Sequence, residues 1–181
     1  MRQFQLLGEK DIPTLINFIK MWSTNKEYDA DLDQLVLNEY TEFEPIMVEI
    51  SEEPIREMAN KFMLTKSGDE PYYTSVYYQF RHLIHMYNEG WITSPRQLVL
   101  TSKDCLSTIH LVVSENGLSL HCFQRSSNID NALEEDIRFL CFLLMSVTKL
   151  KNVAIAPLWR DIKLFISLPH TFGNNKSKVE Q

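Results

Sequence analysis

A chain of 181 residues has the length of one ordinary domain, and its 44% hydrophobic and 23% charged content is enough to bury a sizeable core. A net charge of −6 works against tracking along a phosphate polymer, which needs many Lys and Arg, whereas a single nucleotide needs only one local cation. No stretch approaches a membrane span, MRQFQLLGEK lacks the apolar run of a signal peptide, and three cysteines, an odd number, argue for reduced thiols. The expectation is one cytoplasmic domain over 1–181, with a mobile polar tail over 175–181.

Asp11 is placed to cap a first helix with Pro13 in its opening turn, and Leu15, Ile16, Ile19 and Trp22 recur at the spacing of one buried face. The polar, acidic stretch from Asn25 to Asp33 predicts a loop. From Leu35 to Ile50 the chain has extended character, and Ile46, Val48 and Ile50 alternate between Pro45 and Pro54 as in a strand. Ile55 to Leu64 predicts a short helix, ended by the loop Ser67-Gly68-Asp69. Val76, Phe80, Leu83, Ile84 and Tyr87 then share one helical face that Gly90 terminates. His82 and His85 lie on that helix, but neither carboxylate nor cysteine completes a ligand set, so no metal is expected.

The apolar run Leu98-Val99-Leu100 leads into the most informative stretch, Cys105 to Asp136. Ile109, Leu111 and Val113 alternate, Asn116-Gly117 favours a type I′ turn, and Leu118, Leu120 and Cys122 resume the alternation. This is a β-hairpin whose first strand follows Cys105 and whose second runs into Gln124-Arg125-Ser126, so folding back brings thiol and guanidinium together. Cys122 and Cys141 read as packing residues. Ile137 to Val147 is almost continuously apolar, as in a helix buried on most sides, with Arg138 as the exception. Val153 to Ile155 and Leu164 to Leu168 read as strands. Helices followed by a mostly extended second half give an α+β class, a mixed sheet packed against helices.

The order Cys105, strand, Gly-containing turn, Leu118-Ser119, strand and Gln124-Arg125-Ser126 resembles the active-site half of the thymidylate synthase and deoxycytidylate hydroxymethylase family. Cys105 and Arg125 stand twenty positions apart, the family's spacing between its catalytic cysteine and the arginine of its Gln-Arg-Ser motif. Without a gap, Asp136 falls where the synthases carry the asparagine that reads uracil and the hydroxymethylases carry aspartate. Arg96 is similar to the first of an arginine pair that reaches across a dimer to the phosphate of the other subunit's nucleotide, with Gln97 in place of the second. His170 and Phe172 resemble the family's His-x-Tyr segment, which holds the sugar hydroxyl, though Phe172 lacks the phenol. Asn128 stands where the family has Asp, and His110 where it has Gln. The resemblance covers Arg96 to Asn174; the helix carrying the family's Glu-Leu-x-Trp is not recognisable.

The resemblance implies covalent chemistry on a pyrimidine nucleotide: Cys105 adds to C6, and C5 then attacks a one-carbon unit from methylenetetrahydrofolate. A guanidinium beside a thiol, whose ordinary pKa is about 8.5, promotes the thiolate, and Arg125 would also hold the phosphate with Ser126 and Arg96. Gln124, Asn128 and His170 complete the implied substrate site of a homodimer. At Asp136 a carboxylate accepts from the exocyclic amine of cytosine, whereas the carbonyl of uracil repels it. That favours dCMP or CMP and C5 hydroxymethylation. The rivals are a dUMP C5 methylase and a catalytically silent nucleotide-binding relative acting as a partner subunit. The plainer readings stay open beside these: Cys105 as an inert core cysteine, Arg125 as half of a surface ion pair, and Asp136 as one more acidic residue in a helix's first turn.

Overall fold

The computed structural model describes residues 2–22, 27–29, 34–38, 45–94, 97–114, 117–151, 159 and 162–174. In chain order the strands are β1 (Arg2–Leu6), β2 (Glu27–Asp29), β3 (Gln34–Asn38), β4 (Ile46–Ile50), β5 (Leu98–Thr101), β6 (Leu106–Ser114), β7 (Gly117–Gln124), β8 (Ser127–Asn128), β9 (Ile162–Ser167) and β10 (Thr171–Asn174). The helices are α1 (Ile12–Trp22), α2 (Glu52–Leu64), α3 (Pro71–Asn88) and α4 (Leu133–Met145). Six strands form a mixed sheet in the order β1-β4-β9-β7-β6-β5, and β2-β3-β10-β8 form a smaller one. The class is α+β, as the sequence predicts.

Period-two alternation gives the large sheet its buried face. One row of register partners runs Phe4, Val48, Leu164, Leu120, Leu111 and Leu98 across all six strands. Flanking rows carry Leu6, Ile50, Ile162, Leu118 and Val113 on one side, and Ile46, Ile166, Cys122, Ile109 and Leu100 on the other. These residues share one apolar cluster with Ile55, Met58 and Phe62 of α2, Val76 and Phe80 of α3, and Ile137, Phe139 and Leu144 of α4. The helices therefore cover that face, and burial of the rows against them supplies the main stabilisation.

α4 is buried on nearly all sides, including the consecutive residues Phe139, Leu140 and Cys141, as its unbroken apolar sequence requires. Its second-turn residue Arg138 is held among carboxylates, donating to Glu9, Glu134 and Glu135. This joins the turn before α1 to α4. Burial pushes the Cys122 and Cys141 thiols up, so both stay protonated packing groups.

Several bounds differ from the sequence reading, each for a physical reason. α2 begins at Glu52, because Pro54 fits a first turn whose N–H groups lack intrahelical partners anyway. Pro71 at the first helical position starts α3 five residues before Val76. α4 starts four residues before Ile137 and tightens after Met145 into a 3-10 turn over Ser146–Lys149. Asp11 does not cap α1 directly; its Oδ2 accepts from the N–H of Leu7 and Gly8 at 2.8 and 3.1 Å, closing the turn before the helix. β2 lies inside the stretch read as a loop, held by antiparallel pairing with β3, and β1, β8 and β10 were not anticipated. Gly90 (φ +79°) ends the turn after α3, and Gly117 (φ +148°) opens β7, both in a backbone region that favours glycine. The strand expected at 153–155, the turn residue Asn116, Arg96 and the tail lie outside the described residues.

Candidate active site

The hairpin of β6 and β7 closes at the end away from its turn. Leu106 pairs with Gln124, and just beyond it the N–H of Arg125 donates to the carbonyl of Cys105 at 2.7 Å. The ladder shifts register between Leu106 and Thr108, a bulge that lets Leu106 and Ile109 both face the core despite their odd spacing. Ser107, the extra residue, turns its hydroxyl to the carbonyls of Asp104 and Cys105, each at 3.1 Å. Cys105 is a free, half-buried cysteine and Arg125 is exposed. The folded-back ribbon thus joins these two backbones directly, and packed hydrocarbon does not seal the thiol.

The first turn of α3 backs this end of the hairpin. The Tyr72 hydroxyl accepts from the N–H of Leu106 at 3.0 Å, immediately after Cys105. Burial, with the Asp136 charge next in size, pushes the Tyr72 phenol well above its usual range, so it is a permanent hydroxyl. Tyr73 donates to Asp136 Oδ1 at 2.9 Å, and the Gln124 amide donates to Asp136 Oδ2. Asp136 is 3% exposed. Burial raises its pKa from 3.8 to about 6; the hydrogen bonds from Gln124 and Tyr73 oppose the rise, and Glu135 adds to it.

From Gln124 the chain continues through Arg125 and half-buried Ser126 into β8. There the N–H of Ser127 donates to the carbonyl of His170 at 3.0 Å, and β8 pairs in parallel with β10. The fold therefore brings Cys105, Gln124, Arg125, Ser126, Asp136 and His170 into one linked neighbourhood. Asn128 lies beside them, with its Oδ1 accepting from the N–H of Asp130 and Asn131 at 3.1 and 3.2 Å. That oxygen builds the turn leading to α4. His170 is half-buried, its ring 5.9 Å from that of Phe172.

Tyr72 and Tyr73 are the members that reading the sequence missed. Their signal is Pro71, which starts the helix early and puts both tyrosines in its opening turn, facing the hairpin and α4. The neighbourhood thus contains a half-buried thiol, an exposed guanidinium and a buried carboxylate that accepts from two donors. Among the described residues, no group of three or more His, Cys, Asp or Glu is arranged to hold a metal ion, and no helix is long and apolar enough to cross a membrane.

No protein-family model matches the chain, and no curated protein matches it either. Among solved structures it is similar to the crystal structure of thymidylate synthase from T4 phage, with a TM-score of 0.41 and 16% identity, covering 56% of this chain and 37% of that one. The match thus spans well under half the length of the phage enzyme.

Proposed function

We propose that the protein is a pyrimidine nucleotide C5 one-carbon transferase that hydroxymethylates dCMP or CMP with methylenetetrahydrofolate as the carbon donor. The observation supporting this reading is the 2.7 Å backbone hydrogen bond from the N–H of Arg125 to the carbonyl of Cys105, which makes the two residues neighbours at the end of the hairpin. The likeness of that segment and its spacing to the thymidylate synthase motif supplies the chemistry. Cys105 adds to C6 of the base, and the electron pair freed at C5 attacks the donor's methylene. The C5 hydrogen leaves as a proton and the methylene–nitrogen bond breaks to release tetrahydrofolate, leaving an exocyclic methylene on the base; water then adds to that methylene and the cysteine is eliminated from C6. Arg125 and Ser126 hold the phosphate, joined by Arg96 in a homodimer, while Gln124, Asn128 and His170 contact base and sugar. Asp136 reads the cytosine amine.

A second reading, a nucleotide-binding relative without catalysis, is favoured by one observation: both oxygens of Asp136 already accept hydrogen bonds within the protein. Incubation with C5-tritiated dCMP and methylenetetrahydrofolate separates the two. The enzyme releases tritium and Cys105→Ser abolishes release; nucleotide binding without release selects the silent relative, and release from dUMP but not dCMP selects the methylase. Solution mass with bound nucleotide tests the dimer.

A further inference from the structure

A cleft of roughly 310 Å³ opens between the end of α2, the 3-10 turn over Lys66–Asp69, α3 and α4. Aromatic rings dominate its lining: Phe62, Tyr73, Tyr77, Tyr78, Phe139 and Phe142. They form a continuous series from surface to core. Ring centroids lie 5.8 Å apart from Tyr78 to Tyr77, 5.1 Å on to Phe142, 5.2 Å on to Phe62 and 5.3 Å on to Tyr73. Tyr78 is 61% exposed and Phe62 2%, and Met63 at the margin is 58% exposed. Core packing accounts for the inner rings but leaves the outer ones, together with the cavity, facing water, where apolar surface is costly unless something covers it.

The electrostatics of the cleft select what that is. Aromatic faces are electron-rich and attract cations, and the guanidinium of Arg81 already sits 5.8 Å above the Tyr77 ring. The charged group among the described lining residues is the exposed carboxylate of Asp69. An anion entering here would meet that carboxylate and a chain of net charge −6; an aromatic cation would meet ring faces inclined to one another and a counter-charge. Cavities of this size, mostly aromatic with a few polar groups at the edge, suit small ligands.

We propose that this cleft binds a small planar aromatic cation, its ring against Tyr78 and Phe142 and its charge toward Asp69. The cleft shares Tyr73 with the surroundings of Asp136, but Cys105 and Arg125 do not line it, and the assignment stands independently of the reaction proposed above.

Fluorescence polarisation of the full chain with proflavine, a flat cationic dye, tests the assignment, with fluorescein as an anionic comparator. Proflavine is expected to bind saturably at one site. Tyr78→Ala should weaken binding roughly ten-fold, as expected for a lost ring contact, and Asp69→Asn should weaken it about three-fold while reducing its salt dependence. Fluorescein should not bind, and Cys105→Ser should leave proflavine affinity unchanged, which distinguishes this site from the thiol site. Both Tyr78 and Asp69 are exposed, so circular dichroism should show both variants folded. Absence of saturable binding up to millimolar dye, or affinity indifferent to Tyr78→Ala, would overturn the site; equal binding of fluorescein would overturn its charge preference.

Discussion

The hydroxyl of Tyr73 donates to Asp136 across 2.9 Å, linking the first turns of α3 and α4, while Gln124 closes on the other carboxylate oxygen from the end of β7. Three elements meet on one buried acid whose pKa burial lifts to about 6. A carboxyl with a folded pKa above its unfolded value binds its proton more tightly when folded. Its contribution is full below about pH 4 and is lost as pH rises through about 6. Asp136→Asn removes this penalty, so the variant should be more stable than wild type at pH 7 by on the order of 2–3 kcal/mol and nearly equal at pH 4. Urea unfolding at the two pH values measures this; a variant weaker than wild type at pH 7 would contradict it.

Arg138 donates to three carboxylates, including Glu135 Oε2 at 2.8 Å, with its side chain 17% exposed. Arg138→Met keeps the stem but leaves Glu9, Glu134 and Glu135 facing one another without their shared cation. The expected loss is on the order of 2–4 kcal/mol. Part of it should return in 1 M salt, where repulsion is screened. Thermal melts at low and high salt are the measurement, and an equal loss in both would show that packing, not charge, holds the turn before α1 to α4.

A Cβ at Gly173 would approach Asp130 Oδ2 to 2.6 Å, and Asp130 is the ion-pair partner of Lys20. Gly173→Ala therefore has to push Asp130 off Lys20 or strain β10. A cost of about 1–2 kcal/mol is expected, most of it absent when Lys20 is already alanine. Additive effects in a double-mutant cycle would rule out this coupling.

Ser127 and Thr171 are register partners in β8 and β10, and among the described residues the hydroxyl of each is buried without a hydrogen-bond partner. Burying a hydroxyl unsatisfied is unfavourable, so Thr171→Val, of similar shape, should be neutral or raise stability by up to about 1 kcal/mol. Destabilisation of that size instead would mean that a bound water bridges the pair, which a high-resolution crystal structure would reveal.

What the sequence made legible were elements whose signal is local. Alternation through Ile109 to Cys122 determines the hairpin whatever surrounds it, and the unbroken apolar run after Ile137 marks the central helix. The short strands β1, β2, β8 and β10 have no such signature, because each is defined by a partner far along the chain, as Thr171 is by Ser127. The site divides the same way. The hairpin reading anticipated that the backbones of Cys105 and Arg125 would be neighbours, since one ladder sets both positions. The sequence pointed to Asp136 through the family motif but not to the burial of its carboxylate or its bond to Tyr73, which depend on how α3 packs against the hairpin and α4.

The position of β9 governs how this chain can assemble. It lies between β4 and β7, antiparallel to the first and parallel to the second, although it is the ninth of ten strands among the described residues. Without β9, β1 with β4 and the β5–β7 meander are two half-sheets with no common border, each offering an open backbone edge to other chains. Docking of β9 makes them one and closes both edges at once, so loss of that single strand would leave two open sheet borders rather than one.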